Sequence, residues 1–202
     1  MSDLHCPATV LVARHGEAEY ENDLVSDDGG SLTTAGRAQS LELADSLADR
    51  NVALVYSSPM ARAVQTAEIV AGRLGCAVRV REAFAEVSVG DHEGEAEPSD
   101  PLAPVLERWR AGDLAATVPG STSGTELIAR MRAGLEEIAD LHRGETVLVI
   151  SHGQVMGVVL PYLVANLADD HGFGRALPSC CPVELSIDAD GWCCTGWPED
   201  EQ

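Results

Sequence analysis

The chain has 202 residues, 45% of them hydrophobic, which suits one sizeable α/β domain with its own core. Its 13 basic residues are all arginines, set against 33 acidic ones for a formal charge of −20. So acidic a surface argues against nucleic acid or an anionic membrane as a partner, and it requires any phosphate site to concentrate arginines locally. No apolar run reaches the roughly 18 residues of a membrane span, and Met1–Cys6 lacks the basic region and apolar core of a signal peptide, so the cytoplasm is the expected compartment.

In chain order, Thr9–Ala13 is a short β-branched run that predicts a buried strand. It ends in a turn at Arg14-His15-Gly16-Glu17. The segment 18–30 is polar and acidic, without periodicity, and reads as a loop. A helix opens at Thr33 or Thr34 as N-cap and runs to about Arg50, with Leu43, Ala44 and Leu47 inward. A strand follows over Val52–Tyr56, broken by Ser57-Ser58-Pro59, then a helix over about Met60–Leu74 stopped by Gly75. Val78–Val80 predicts a third strand, and the loop 83–94 carries Glu86. From 95 to 124 the chain is proline-rich, with a helical patch near Val105–Arg110, and reads as an insertion covering a site. A helix over Glu126–His142, a strand over Thr146–Ile150, a helix to about Leu163 and a hairpin turning at Asp188-Ala189-Asp190-Gly191 complete the chain. This alternation predicts a three-layer α/β/α sandwich with a mainly parallel sheet, as a single domain over 1–202 with a small lid insertion at about 95–124.

Two of the predicted strands end in a histidine-glycine step, His15-Gly16 and His152-Gly153. Parallel strands put such ends on one edge of the sheet, where ligands of open α/β folds bind. Arg14 offers a planar donor fork suited to phosphate, and a neutral imidazole is a nucleophile near pH 7. The flanking arginines are expected to keep that imidazole neutral by disfavouring a second positive charge.

The motifs Arg14-His15-Gly16-Glu17, Leu32-Thr33-x-x-Gly36-x-x-Gln39, Ser57-Ser58-Pro59-x-x-Arg62-x-x-x-Thr66-Ala67, Glu86-x-x-x-Gly90-x-x-Glu93-Gly94 and Ser151-His152-Gly153, in this order, resemble the histidine phosphatase superfamily, also called phosphoglycerate mutase-like. The resemblance implies that His15 attacks phosphorus and carries a phosphohistidine. It implies that Arg14, Arg62 and His152 surround the phosphoryl oxygens, with Gly153 beside them, and that Glu86 is proton donor and then base. It implies no cofactor and no metal. Arg62 falls at a helix start, where a solvated arginine is the ordinary finding; its Ser-Pro-x-x-Arg context assigns it to the site. Glu82, Glu93, Glu95 and Glu97 compete with Glu86, and the motif spacing selects Glu86. Glu17 reads as structural or orienting and His92 as surface, while His5, His142 and His171 lie outside any motif.

The sequence departs from the family after the histidine. A neutral phosphate donor, usually Asn, is expected where Glu21 stands, with Asn22 one residue on; Asn22 is taken as the contact if the loop shifts. The insertion is short and holds only Arg108 and Arg110 as bases, which favours a phosphatase of a small phosphorylated metabolite over a phosphoglycerate mutase. Having a lid at all disfavours a protein phosphohistidine phosphatase. An interaction module on an inactive scaffold would need a missing catalytic residue, and none is missing. A homodimer is left open. Of the six cysteines, Cys180-Cys181 and Cys193-Cys194 invite a zinc or disulfide reading. The hairpin register sets Cys194 opposite Leu185, about 13 Å from Cys181 at roughly 3.3 Å per residue, beyond the ~7 Å reach of a disulfide; they read as structural thiols.

Overall fold

The computed structural model describes residues 6–20, 24–27, 29–96, 100–174 and 176–198. Glu21 and Asn22 lie outside them. Strands β1 (Ala8–Arg14), β4 (Val52–Ser57), β5 (Ala77–Val80), β6 (Thr146–Ser151), β7 (Pro182–Asp188) and β8 (Gly191–Gly196) form one sheet in the order β5-β4-β6-β1-β7-β8. The β5-β4-β6-β1 half is parallel, and β7 and β8 add an antiparallel edge. The mainly parallel sandwich read from the sequence is the observed fold. The hairpin register is also as expected, with Leu185 opposite Cys194, and none of the six cysteines forms a disulfide.

Alternate residues of each central strand feed opposite faces, as the strand period of two dictates. Leu11, Ala13, Val55, Leu148 and Ile150 pack against α1 (Thr34–Ser46) and α2 (Ala61–Leu74). Val10, Val12, Tyr56, Val147 and Val149 face α4 (Gly124–Leu141) and α5 (Gly153–Leu163). A full capping box starts α4, with Ser123 and Glu126 satisfying each other's backbone N–H groups. α5 is apolar nearly all round because sheet and α4 enclose it.

Several boundaries move. Thr33 is the N-cap of α1, accepting from the Gly36 N–H, and the helix stops at Ser46 in a turn instead of reaching Arg50. The expected loop 18–30 contains β2 (Ala18–Glu19), paired with β3 (Ser31–Leu32). Such two-residue strands are too short for any periodicity to announce them. The insertion contributes α3 (Ala103–Arg110). Its Trp109 is 1% exposed and joins the main core with Val105, Ala116 and Val118, its indole N–H donating to the Ala116 carbonyl at 2.9 Å.

The turn after β1 is clamped by motif residues from two helices. Thr66 Oγ1 accepts the Gly16 N–H at 3.0 Å, and Gln39 Oε1 accepts the Glu17 N–H at 2.8 Å. The first turn of α1 lies so close that a Cβ on Gly36 would sit 2.0 Å from the Glu17 carbonyl oxygen, and one on Gly16 2.5 Å from the Gly36 oxygen. Both glycines are required by contact between backbones, not by dihedral freedom. Gly36→Ala should therefore destabilise the fold by about 1–3 kcal/mol, the range of overpacking, and lower Tm by several degrees. An unchanged Tm in a calorimetric scan would show that α1 can slide away from the turn.

Candidate active site

The parallel register levels three strand ends. Arg14 pairs with Ser151 and Ser57 with Ile150. Each ladder runs one bond further, His15 N–H to the Ser151 carbonyl at 3.0 Å and Ser58 N–H to the Ile150 carbonyl at 2.9 Å. Because β6 lies between β1 and β4, His152 emerges between His15 and Ser58. The imidazole centroids of His15 and His152 are 5.1 Å apart at 63°.

His15 Nδ1 lies 2.7 Å from the Gly16 carbonyl oxygen, and an acceptor there requires the proton on Nδ1. Nε2 is then the lone-pair nitrogen, and Arg62 Nε–H donates to it at 3.2 Å. Burial holds the imidazole down at about 4, with Arg62 and Arg14 pushing the same way against the Gly16 bond. The flanking arginines, expected from the sequence to set this state, are the smaller cause and burial the larger.

His152 is fully buried, and burial lowers its pKa well below the ordinary imidazole range, aided by Arg62, His15, Arg130 and Arg14. Its Nε2 lies 2.7 Å from Ser58 Oγ, while Nδ1 is buried without a partner among the described residues. Ser58 Oγ accepts the Met60 N–H at 3.3 Å and has its own proton to give to Nε2. That assigns the His152 proton to Nδ1, a donor awaiting an acceptor.

Arg62 is 4% exposed, not the solvated arginine usual at a helix start. Its Nη1 donates to the carbonyls of Gly29 (2.6 Å) and Asp27 (3.3 Å), and its Nη2 lies 3.1 Å from Met60 Sδ. Arg14 Nη1 donates to the Leu177 carbonyl at 3.2 Å. Its side chain crosses the start of α5 over Gly153, where a Cβ would come 3.3 Å from Arg14 Cδ.

Glu86 closes the site from the loop after β5. α5 has no side-chain cap of its own, and Glu86 supplies one from outside. Oε1 accepts the N–H groups of Val155 (2.7 Å) and Val87 (2.9 Å), and Oε2 accepts that of Gln154 at 3.2 Å. A carboxylate at a helix N-terminus is favoured, yet burial outweighs these bonds and Arg62, and raises the Glu86 pKa. The competitor Glu93 is engaged elsewhere, its Oε2 accepting the Asp27 N–H at 2.8 Å. Asp27 in turn takes Ser88 Oγ–H and Val89 N–H at 2.6 and 2.8 Å, tying the Glu86 loop to the carbonyls that hold Arg62.

Sequence reasoning missed Arg130. From α4 it donates through Nη2 to the Ala85 carbonyl, beside Glu86. Its Nε is buried without a partner among the described residues. Burial lowers its pKa, with Glu86 and Glu82 opposing. Its only local signal was an arginine on the otherwise inward-reading side of an amphipathic helix. His92 pairs with Glu95 at 2.8 Å and His142 with Glu145 at 2.7 Å, and the His171 ring packs on Trp197; these rings stand apart from the site. Arg14, His15, Arg62, Glu86 and Gly153 line a single cavity of about 1010 Å³, and His152 stands behind it.

The buried His15 ties stability to pH. The unfolded imidazole titrates near 6.5 and the folded one near 4, so the unfolded chain takes up the proton first as pH falls. Stability is complete above about 6.5 and is lost towards pH 4, by about 3 kcal/mol from this residue. His15→Asn should flatten the fall by that amount; His152 contributes in the same direction and remains. Urea unfolding at several pH values between 4 and 7 tests this, and parallel curves for the two proteins would contradict it.

Comparison with known proteins agrees with this geometry. The family model of the histidine phosphatase superfamily (branch 1) matches residues 10–200. The chain is 29% identical over 195 residues to a Yersinia pestis protein named probable phosphoglycerate mutase GpmB, covering 93% of this chain and 89% of the relative. Bacillus stearothermophilus YhfR superposes with a TM-score of 0.78 at 25% identity, covering 93% of this chain and 95% of that one. A mycobacterial glucosyl-3-phosphoglycerate phosphatase superposes with a TM-score of 0.77 at 22% identity, over 95% and 98% of the two chains. With its two strand-end histidines, its arginines and its carboxylate arranged in that fold, the chain belongs to the histidine phosphatase superfamily, branch 1.

Proposed function

We propose that the protein is a phosphomonoesterase that hydrolyses a small phosphorylated metabolite through a phosphohistidine on His15. The observation that carries this is the state of His15: buried, neutral, with its proton held on Nδ1 by the Gly16 carbonyl and its Nε2 lone pair turned towards Arg62. On substrate binding, Arg62 Nε–H passes from Nε2 to a phosphoryl oxygen, which frees the nucleophile and places a cation on the charge it meets. Arg14 and the unpartnered Nδ1–H of His152 supply further donors, the preorganised kind that stabilise a phosphoryl transition state.

Nε2 attacks phosphorus as the ester P–O bond breaks, and Glu86 gives its proton to the departing oxygen. Oε2, held only by the 3.2 Å bond from Gln154, is the oxygen that carries this proton, while Oε1 stays on its two N–H groups. In the second half Glu86 takes a proton from water, the water oxygen bonds to phosphorus, and the P–N bond breaks to release phosphate and restore the imidazole. The arginines and imidazoles do the charge stabilisation for which other phosphatases use a metal, so activity should survive excess EDTA. The short insertion, whose α3 lines the cavity with Arg110 as its one described cation there, supports hydrolysis over the mutase reaction that the Yersinia relative's name suggests. A cytoplasmic setting without nucleic acid or membrane partners fits the charge of −20, and no described helix is long and apolar enough to cross a membrane.

Brief reaction with labelled substrate and a base quench should leave an acid-labile phosphoramidate on the His15 peptide. His15→Ala should abolish the label. His152→Ala should slow labelling by about 10²–10³-fold, the loss of one stabilising donor. Label on His152, or acid-stable label on Ser58 or Ser151, would overturn the assignment. Phosphate exchange between phosphoglycerates in place of phosphate release would establish a mutase. Glu86→Gln should slow turnover of alkyl phosphates by roughly 10²–10⁴-fold and of activated aryl phosphates less; equal losses in burst kinetics would point to another acid.

A further inference from the structure

Beyond its phosphoryl end, the cavity changes character. We infer that its outer half is a site for an uncharged, largely apolar alcohol, so that the substrate is the phosphomonoester of such an alcohol and not a phosphorylated carboxylate or a bisphosphate. This rests on the phosphatase reading above and names its leaving group.

The walls come from three parts of the chain. Val87 and Val89 follow Glu86 directly, Leu102 and Leu106 come from the start and body of α3, and Phe173 and Leu177 come from the segment between α5 and β7. Leu102, Val87 and Leu177 are at most 5% exposed, so this wall is built into the core and does not fray into solvent. Leu106, Phe173 and Val89 are only half-buried, leaving apolar surface for an occupant to cover. Gly157 and Gly172 also line it with their backbones in contact, a Cβ on Gly172 lying 2.1 Å from the Gly157 carbonyl oxygen. Neither position adds a side chain to the slot.

The charges exclude the alternatives. Arg14 and Arg62 belong to the phosphoryl end. Among the described lining residues Arg110 is the remaining cation, and the Glu107 carboxylate, which also lines the cavity, stands 3.9 Å from its Nη1. A second anion on the substrate would meet that half-neutralised guanidinium, the carboxylates of Glu107 and Glu17, and the repulsion of a chain carrying −20. An apolar body meets none of these and displaces water from Leu106 and Phe173.

The test is a series of esters whose alcohols are of similar basicity, so that bond-breaking chemistry stays constant: ethyl, butyl, hexyl and 2-phenylethyl phosphate, against glycerol phosphate and 3-phosphoglycerate. kcat/KM should rise by about fourfold per methylene until the slot is full. 2-Phenylethyl phosphate should exceed glycerol phosphate by about 10²-fold. Leu106→Asn and, separately, Phe173→Ser should collapse the hexyl-to-ethyl ratio towards one. A flat series, or glycerol phosphate or 3-phosphoglycerate turned over as well as hexyl phosphate, would overturn the inference. Calorimetric titration with methylphosphonate and hexylphosphonate separates the two readings. If no ester is hydrolysed yet hexylphosphonate binds more tightly, and Leu106→Asn removes the difference, the alcohol site stands and the phosphatase reading falls. If the two phosphonates bind equally, the alcohol site falls whatever the turnover.

Discussion

Two backbone hydrogen bonds, from His15 N–H to the Ser151 carbonyl and from Ser58 N–H to the Ile150 carbonyl, carry the parallel ladder one residue past the ends of β1 and β4. The site depends on them. They keep three chain segments extended at the point where each would otherwise turn away, and so place His15, His152 and Ser58 in a row across β6. The position of β6 between β1 and β4 is a matter of topology: the strand latest in sequence among the parallel four pairs with the earliest. Any slip of this register by one residue would turn the histidines to opposite faces and leave Arg14 buried against the α1 side.

Burial on this scale has an electrostatic consequence. The His15 imidazole lies 3.2 Å from the Arg62 guanidinium and 5.1 Å, centroid to centroid, from the His152 ring behind the cavity. Desolvation and mutual repulsion both favour neutral imidazoles, and that is the state a nucleophile needs. The Arg62 guanidinium is received by the backbone carbonyls of Gly29 and Asp27. Carbonyl oxygens offset the charge only in part, so the guanidinium keeps its attraction for an anion. A carboxylate partner would have cancelled it. The acidic exterior then acts as a filter, since a ligand is drawn in only where the arginines outweigh the general field.

Glu86 and α5 show how one contact serves both stability and chemistry. The helix begins directly after His152 and leaves its first N–H groups without a local cap. The Glu86 carboxylate fills that need, and the same bonds fix its oxygens at the cavity wall. Arg130 lies beside this pair, half-buried, donating to the Ala85 carbonyl and holding a buried Nε that has no partner among the described residues. α3 is held on the same principle: Trp109 anchors it in the main core while Leu106, three residues earlier, lines the cavity.

The sequence by itself determined the parts whose cause is local. A β-branched run ending in His-Gly specifies a strand and a tight exit. Thr33 or Thr34 marks a helix start, because a cap acts within one turn. The ordered motifs pointed to Arg14, His15, Arg62, Glu86, His152 and Gly153, since a motif records residue types in the chain wherever the fold carries them. The tertiary structure decided everything that required a partner distant in sequence. Arg62 was assigned to the site by its motif, and only the fold supplied the carbonyls of Asp27 and Gly29 that hold its guanidinium. Gln39 and Thr66 were motif letters until they met the N–H groups of Glu17 and Gly16 across 22 and 50 residues. The β2–β3 pair and the apolar half of the cavity left no periodic trace, because hydrophobic periodicity records which face of an element is buried and says nothing of what it is buried against.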